Sequence, residues 1–421
     1  MSDKQSFGVL LGIAILGTIT LVVTNGMTIS GISVFDTSIL EEFGWSRSEL
    51  KLRSLINLVA SSLIMPFVGA IIDKYGVKRM LIIGLVVIAG LLYTYSLITS
   101  AWQMYTIHFL FAFAVSGAGT LAVIIMVSQR IRNNRGTAIG IALAGTSLGG
   151  ILVPQMGIRL LENFGWRGAF QWEAIVPLVI AVVIFIFLKP IKYKHKASEK
   201  VVEDDETGLV EFSIQDAIKT PVFWAICFAG IFCFYSILGI IDNLFLYLSE
   251  LEFTPQEAAN AFSIFFAIIL VAKLTSGVFT DFIDEHKLFK VQLALMIVGA
   301  SLLAVNSASL IWPSLICIGL GWGGLYTLFN YIIITTFGVK SAGKIGGLIS
   351  FFEGVGSGLG MWLTAFIADQ TGSYSTSFWV IVGLLCIAFV ISFFIKKIAP
   401  SQPLEVPENI HPSEIAKPKV T

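Results

Sequence analysis

The chain has 421 residues, of which 56% are hydrophobic and only 13% charged, with a mean hydropathy of +0.86. Soluble domains carry about 25% charged residues, so the charges here are too few to cover a water-facing surface. Lysine plus arginine (27) balance aspartate plus glutamate (27), and net neutrality speaks against a nucleic-acid partner.

A helix needs about 20 apolar residues to cross the hydrocarbon of a bilayer. Runs of that kind fall at 8–33, 54–72, 80–100, 103–128, 137–158 and 169–188, then at 222–248, 257–280, 289–308, 311–337, 345–368 and 375–395. The chain therefore reads as an all-α membrane protein of twelve transmembrane helices. The first run is too long for a signal-peptide core and lacks a small-x-small cleavage site, so it is expected to be retained. Between the sixth and seventh runs lies a polar stretch, 189–221, with Lys192, Lys194, Lys196 and Lys200 followed by Glu203 to Glu206. It predicts a solvated linker between a six-helix bundle at 1–188 and a second at 222–396. The tail 397–421, with Pro403, Pro407, Pro412 and Pro418, is expected to be disordered.

Basic residues near span ends set orientation. One side carries Lys74, Lys78, Arg79, Arg130, Arg132, Arg135, the linker lysines, Lys287, Lys290, Lys340, Lys344, Lys396 and Lys397. The other has few, chiefly Arg47, Lys51, Arg53, Arg159 and Arg167. Both termini are thus expected in the cytoplasm, in a plasma or bacterial inner membrane. Cys227, Cys233, Cys317 and Cys386 sit in apolar runs at unrelated spacings, as small core residues do, and suggest neither disulfides nor metal ligands. No nucleotide loop, H-E-x-x-H or nucleophile elbow occurs, so an enzyme is not expected, nor is a cofactor.

The turn between the second and third runs reads Gly69-Ala-Ile-Ile-Asp73-Lys-Tyr-Gly76-Val-Lys-Arg79. Gly277-Val-Phe-Thr-Asp281 echoes it 208 residues later, at the matching place in the second half. The pattern G-x-x-x-D-K-x-G-x-K-R resembles the signature loop of major facilitator superfamily transporters. The resemblance implies that the repeat marks two similar bundles related by pseudo-two-fold symmetry, which rock about a central site. By that resemblance Gly69, Asp73, Gly76, Arg79, Gly277 and Asp281 are gating residues, Asp73 latching the halves at the cytoplasmic face. Glycine-rich stretches in the fifth span (Gly140, Gly145, Gly149, Gly150, with Pro154) and the eleventh (Gly354, Gly356, Gly358, Gly360) read as close-packing, flexible stripes.

Shorter elements narrow the likeness. Trp45-Ser46-Arg47, Gly165-Trp166-Arg167-Gly168-Ala169-Phe170 and Thr220-Pro221-Val222-Phe223-Trp224 occur in order and resemble the branch containing oxalate–formate exchangers and monocarboxylate transporters. In that branch a cation four residues before the eighth-span glycine binds a carboxylate, and Lys273 occupies that place. It lies eight residues, or about 12 Å, from Asp281, hence near mid-membrane, where a lysine costs about 3 kcal/mol or more. Glu353 in the eleventh span lies at similar depth. It is expected either to couple anion movement to protons or to hold Lys273 in a permanent bridge. The chain departs from the branch in having no second cation in the eleventh span, no first-span lysine, and Ile269 where animal monocarboxylate transporters carry an aspartate. This points away from doubly charged substrates and from the animal coupling scheme.

Softer candidates for hydrogen bonds to substrate are Asn25, Asn57, His108, Asn330 and Tyr331, with His108 equally readable as a packed residue. Asp242 reads as a gate or cap at the outer end, and Lys51 and Arg53 as anion-attracting or snorkelling residues at a surface mouth. The expectation is a monomeric secondary transporter for a small organic anion, with protons or a counter-anion as coupling partner. An exporter of amphipathic molecules is the alternative, suited to the 12% aromatic content; a membrane receptor or scaffold is a third, disfavoured by the short linker.

Overall fold

The computed structural model describes residues 7–131, 135–189, 213–280 and 282–396, and no strand occurs among them. Among the described residues, ten helices are long and apolar enough to span a bilayer, and a bent pair makes an eleventh. One of the ten, Arg135–Phe187, is two arms joined at Gly165, where φ is +65°. Twelve spans result: α1 (Leu11–Phe43), α2 (Arg47–Tyr75), α3 (Val77–Tyr95), α4 (Ala101–Arg130), α5 and α6 (the arms before and after Gly165), α7 (Pro221–Glu250), α8 (Pro255–Phe279), α9 (Glu285–Ala304), α10 (Ala308–Phe337), α11 (Ile345–Thr371) and α12 (Tyr374–Phe394). Helices α1–α6 form one bundle and α7–α12 the other. The face holding the turn between α2 and α3 is called the basic face below, and the opposite one the far face.

The repeat shows in how the helices begin. Ser46 caps α2 and Glu49 returns a bond to the Ser46 amide; Thr254 and Glu257 do the same for α8. These reciprocal caps satisfy amides that a helix start leaves unpaired. Ser46 and Thr254 are 208 residues apart, the interval that separates Gly69 from Gly277. Each bundle thus starts its second helix on the far face by the same local device.

Three expected boundaries move. Span α1 runs ten residues beyond 33, through a π turn at Val22–Ser30 and a tight turn at Ile32–Phe35, into Asp36–Phe43. Span α2 begins at Arg47 rather than 54. In both cases a charge that would end an apolar run is neutralised inside the protein, so the helix continues. The loop expected at 159–168 shrinks to Gly165, whose left-handed backbone lets α5 hand over to α6 without a connecting segment. Helix α2 bends by 65° between Arg47–Met65 and Phe67–Tyr75, at Pro66, which has no N–H to continue the ladder. The expected linker, tail, Arg132 and Asp281 fall mainly or wholly outside the described residues. At the linker's end, Ile214–Lys219 forms a short helix leading into α7.

The glycine stripe expected in α11 is two faces rather than one. Gly356 and Gly360 lie against α7, at the backbone of Ile231 and Tyr235, within the second bundle. Gly354 and Gly358 lie against Ser62 and Leu55 of α2, across the bundles. Four-residue spacing keeps each pair on one side of the helix. In α5, Gly145 and Gly149 admit α1, while Gly150 meets the ring of Phe266 on α8 across the bundles.

Candidate functional site

Helix α8 runs from the far face to the basic face. Helical side chains tilt toward the N-terminus of their helix, so Lys273 on α8 reaches back toward mid-depth. Its Nζ donates to Thr146 Oγ1 (3.4 Å) and Ser147 Oγ (3.3 Å) of α5, and stands 4.7 Å from the ring centroid of Tyr326 on α10. The half-buried ammonium thus joins α5 of one bundle to α8 and α10 of the other. Among the described residues no carboxylate lies within ion-pair distance of it. Hydroxyl oxygens and an aromatic face satisfy a cation only partly, so the site keeps capacity for an anion.

Glu353 is placed differently. Its carboxyl accepts a bond from Ser350 on its own helix, and it packs on α7, where a methyl group on Gly230 would stand 3.2 Å from its Cγ. It makes no ion pair with Lys273 here, so the permanent bridge anticipated as one reading is absent from this conformation. Tyr326 neighbours both charges: its ring lies beneath Lys273 and its hydroxyl is within electrostatic range of Glu353.

The remaining candidates divide. Asn330, one turn from Tyr326 on α10, is exposed and donates to the Tyr326 carbonyl (2.9 Å); Tyr331 is exposed beside it. Asn57 and His108 are buried together elsewhere, Asn57 donating to the His108 carbonyl (3.1 Å). With Thr28, Ser54, Asp242 and Met361 they line a small cleft between the bundles, toward the far face. Asn25 donates to its neighbour Thr24 (3.4 Å). Of the gating set, Gly76 takes φ +85° between α2 and α3, which requires glycine. Asp73 and Arg79 are exposed near that turn, and Gly69 and Gly277 have open space where a side chain would start. Asp281 lies outside the described residues.

Lys51 and Arg53 correct the sequence reading most sharply. Neither is at a surface: both are fully buried. Lys51 Nζ lies 2.5 Å from Asp36 Oδ2 and 3.3 Å from Asp242 Oδ2, and also donates to the Asp242 carbonyl. Arg53 pairs with the other oxygen of Asp36 and donates to the Tyr95 hydroxyl (2.9 Å). Ser54 Oγ donates to Asp242 Oδ2 (3.0 Å). Two cations and two anions therefore cancel inside the protein, and Asp242 of α7 is the member contributed by the second bundle. Nearer the far face, Arg47 pairs with Glu250, and the Arg47 and Ser48 amides donate to Asp369 of α11. Gln155 of α5 donates to Asn260 and Ser263 of α8 (both 3.0 Å). These bonds close the far half of the cleft between the bundles.

Sequence reasoning misses Asp36, Thr146, Ser147 and Tyr326. Asp36 falls beyond the apolar run that defines the first span. The hydroxyls carry no positional signal, while Tyr326 is visible only as the residue one turn before Asn330. Among the described residues, no cluster of three or more His, Cys, Asp or Glu side chains could hold a metal.

Comparison with known proteins agrees with this architecture. The sequence profile described as Major Facilitator Superfamily matches residues 16–361 and 244–420. The chain is 24% identical over 251 residues to the uncharacterized MFS-type transporter YhjX of Escherichia coli, covering 57% of this chain and 60% of that protein. It is 28% identical over 197 residues to human monocarboxylate transporter 14, covering 45% and 37%. With the hexuronate transporter of Bacillus subtilis it shares 24% over 347 residues, covering 77% and 80%. A crystal structure of a bacterial homolog of the human lysosomal transporter Spinster superposes with a TM-score of 0.75 at 14% identity, covering 95% of this chain and all of that one. Each of these relatives is named as a transporter or as the homolog of one.

Proposed function

This chain belongs to the Major Facilitator Superfamily, and from that premise we propose that it is a secondary carrier moving a small monocarboxylate by alternating access. It fits the branch of monocarboxylate transporters and oxalate–formate exchangers, in the cell membrane, with both termini cytoplasmic. One observation carries the reading: Lys273 lies between the bundles, held by two hydroxyls and an aromatic ring and, among the described residues, by no carboxylate. A lone ammonium at this depth is costly unless it meets water or an anion. A single carboxylate fits a single cation, and Tyr326 and Asn330 offer polar groups beside it. Proton symport or anion exchange would drive the cycle, with Glu353 the candidate proton acceptor and the glycine–aspartate turns of the basic face its gate.

The test is uptake of labelled lactate, pyruvate and formate into proteoliposomes. Lys273→Gln abolishes uptake, whereas Lys273→Arg keeps part of it by preserving charge. Full uptake by Lys273→Gln discards the site. An amphipathic exporter is the second reading, favoured by Phe234, Trp322, Tyr326 and Phe329, whose rings pack edge-on or tilted against one another in the second bundle near the lysine. It requires expression to lower drug sensitivity while none of the acids is transported.

A further inference from the structure

A second carboxyl in the membrane core has no role in the site above. Glu173 of α6 is 1% exposed, and neither of its carboxyl oxygens has a hydrogen-bond partner among the described residues. Its surroundings are apolar. Glu173 Oε1 faces Gly157 of α5, where Phe35 and Val34 of α1 also crowd. One turn earlier on α6, Phe170 packs against Phe35 and Tyr95, with ring centroids 4.6 and 4.5 Å apart. An ionised carboxylate buried without a partner is far costlier than a neutral acid, so Glu173 holds a proton here.

The neighbouring charged groups leave that proton in place. On α1, Asp36 is taken by Lys51 and Arg53 of α2; on α3, the Tyr95 hydroxyl accepts from Arg53. On α6 itself, Arg167 is committed to Glu42 (2.5 Å) and to the carbonyls of Ser96 and Ile98. Arg159 and Glu162 of α5 point outward. Among the described residues on these helices, no cation is therefore free to draw Glu173 into ionising. On α4, His108 is 2% exposed; its ring packs edge-on against Tyr95 (5.6 Å), and its Nε2 also has no partner among the described residues. Counted from the far ends of their helices, Arg53, His108, Glu173 and Asp242 all lie about 9–12 Å deep. They form one polar layer, immediately below the contacts that close the far half.

We propose that Glu173 is a proton-binding site of the first bundle: it carries a proton in this far-closed conformation and releases it when separation of the bundles at the far face wets the layer. It is a different site from Lys273 and Glu353, which belong to the second bundle. This inference rests on the carrier reading for its physiological use, but the protonation itself does not.

Two measurements on the full chain in lipid test it. Infrared difference spectra between about pH 5 and about pH 9, a range bracketing ordinary and perturbed carboxyls, are compared for wild type and Glu173→Gln. A carboxylic-acid carbonyl band that fades as pH rises, and is missing in the variant, is expected. A Glu173 band already ionised throughout, or an acid band unchanged across the range, overturns the proposal. In proteoliposomes, wild-type exchange of labelled lactate changes several-fold with pH, and Glu173→Gln flattens that profile. An unaltered profile in the variant overturns it as well. If wild type exchanges none of lactate, pyruvate or formate, the monocarboxylate reading fails and the infrared comparison alone judges Glu173. If Glu173→Gln does not assemble, Glu173→Asp replaces it: a shifted acid band supports the proposal, and an unshifted one overturns it.

Discussion

Asp242→Asn isolates the one member of the buried charge cluster that the second bundle supplies. The substitution removes the ion pair with Lys51 (3.3 Å) and weakens the bond from Ser54 (3.0 Å). Lys51 keeps Asp36 and the residue 242 carbonyl, so the loss is less than the 3–5 kcal/mol of orphaning a buried charge completely. A charge-assisted hydrogen bond is worth about 1.5–3 kcal/mol. Because this one exists only while the far half is closed, its loss should shift the balance toward opening by about 10- to 150-fold, at 1.4 kcal/mol per tenfold. The assay is the labelling rate of a cysteine at position 361, which lines the small cleft beside Asp242. A background with Cys227, Cys233, Cys317 and Cys386 replaced and a membrane-impermeant thiol reagent are used. Labelling should accelerate at least tenfold in Asp242→Asn. Asp36→Asn, which removes bonds within the first bundle, should chiefly lower thermal stability. Equal labelling rates with and without Asp242→Asn would refute the view that this pair closes the far half.

Gly150→Ala would place a methyl carbon 2.3 Å from the Phe266 ring, costing about 1–3 kcal/mol as overpacking does; thermal melting should show the loss, and Phe266→Ala in the same chain should recover part of it. Gly360→Ala is expected to be worse, because its methyl would meet the Tyr235 carbonyl at 2.1 Å, and backbone yields less readily than a ring; a lower yield of monodisperse protein than for Gly150→Ala checks the order.

Much of the architecture is legible in the sequence because a bilayer allows so few solutions. Twelve apolar runs, the repeated glycine–aspartate turn and the skewed basic residues require only lengths and spacing. What cannot be read is pairing. Lys51, Arg53 and Asp36 look like surface charges in a sequence, because nothing local says that they will meet each other and Asp242, 191 residues from Lys51. Their mutual neutralisation also moves the ends of α1 and α2, so the shifted boundaries and the missed cluster share one cause. Lys273 is recoverable because it stands alone in an apolar run, while its partners Thr146, Ser147 and Tyr326 are ordinary membrane residues. Glu173 is instructive in the other direction. A carboxylate inside the predicted sixth span carries a signal by its cost alone, yet the span lengths and motifs that guide the reading above pass over it.

The two-sided glycine pattern of α11 separates durability from speed. Its 356/360 side is fused to α7 with no slack, so changes there decide whether the half assembles at all. The 354/358 side instead meets Ser62 and Leu55 of the opposite bundle, so small additions there would act as friction between the halves, slowing turnover while leaving each half intact.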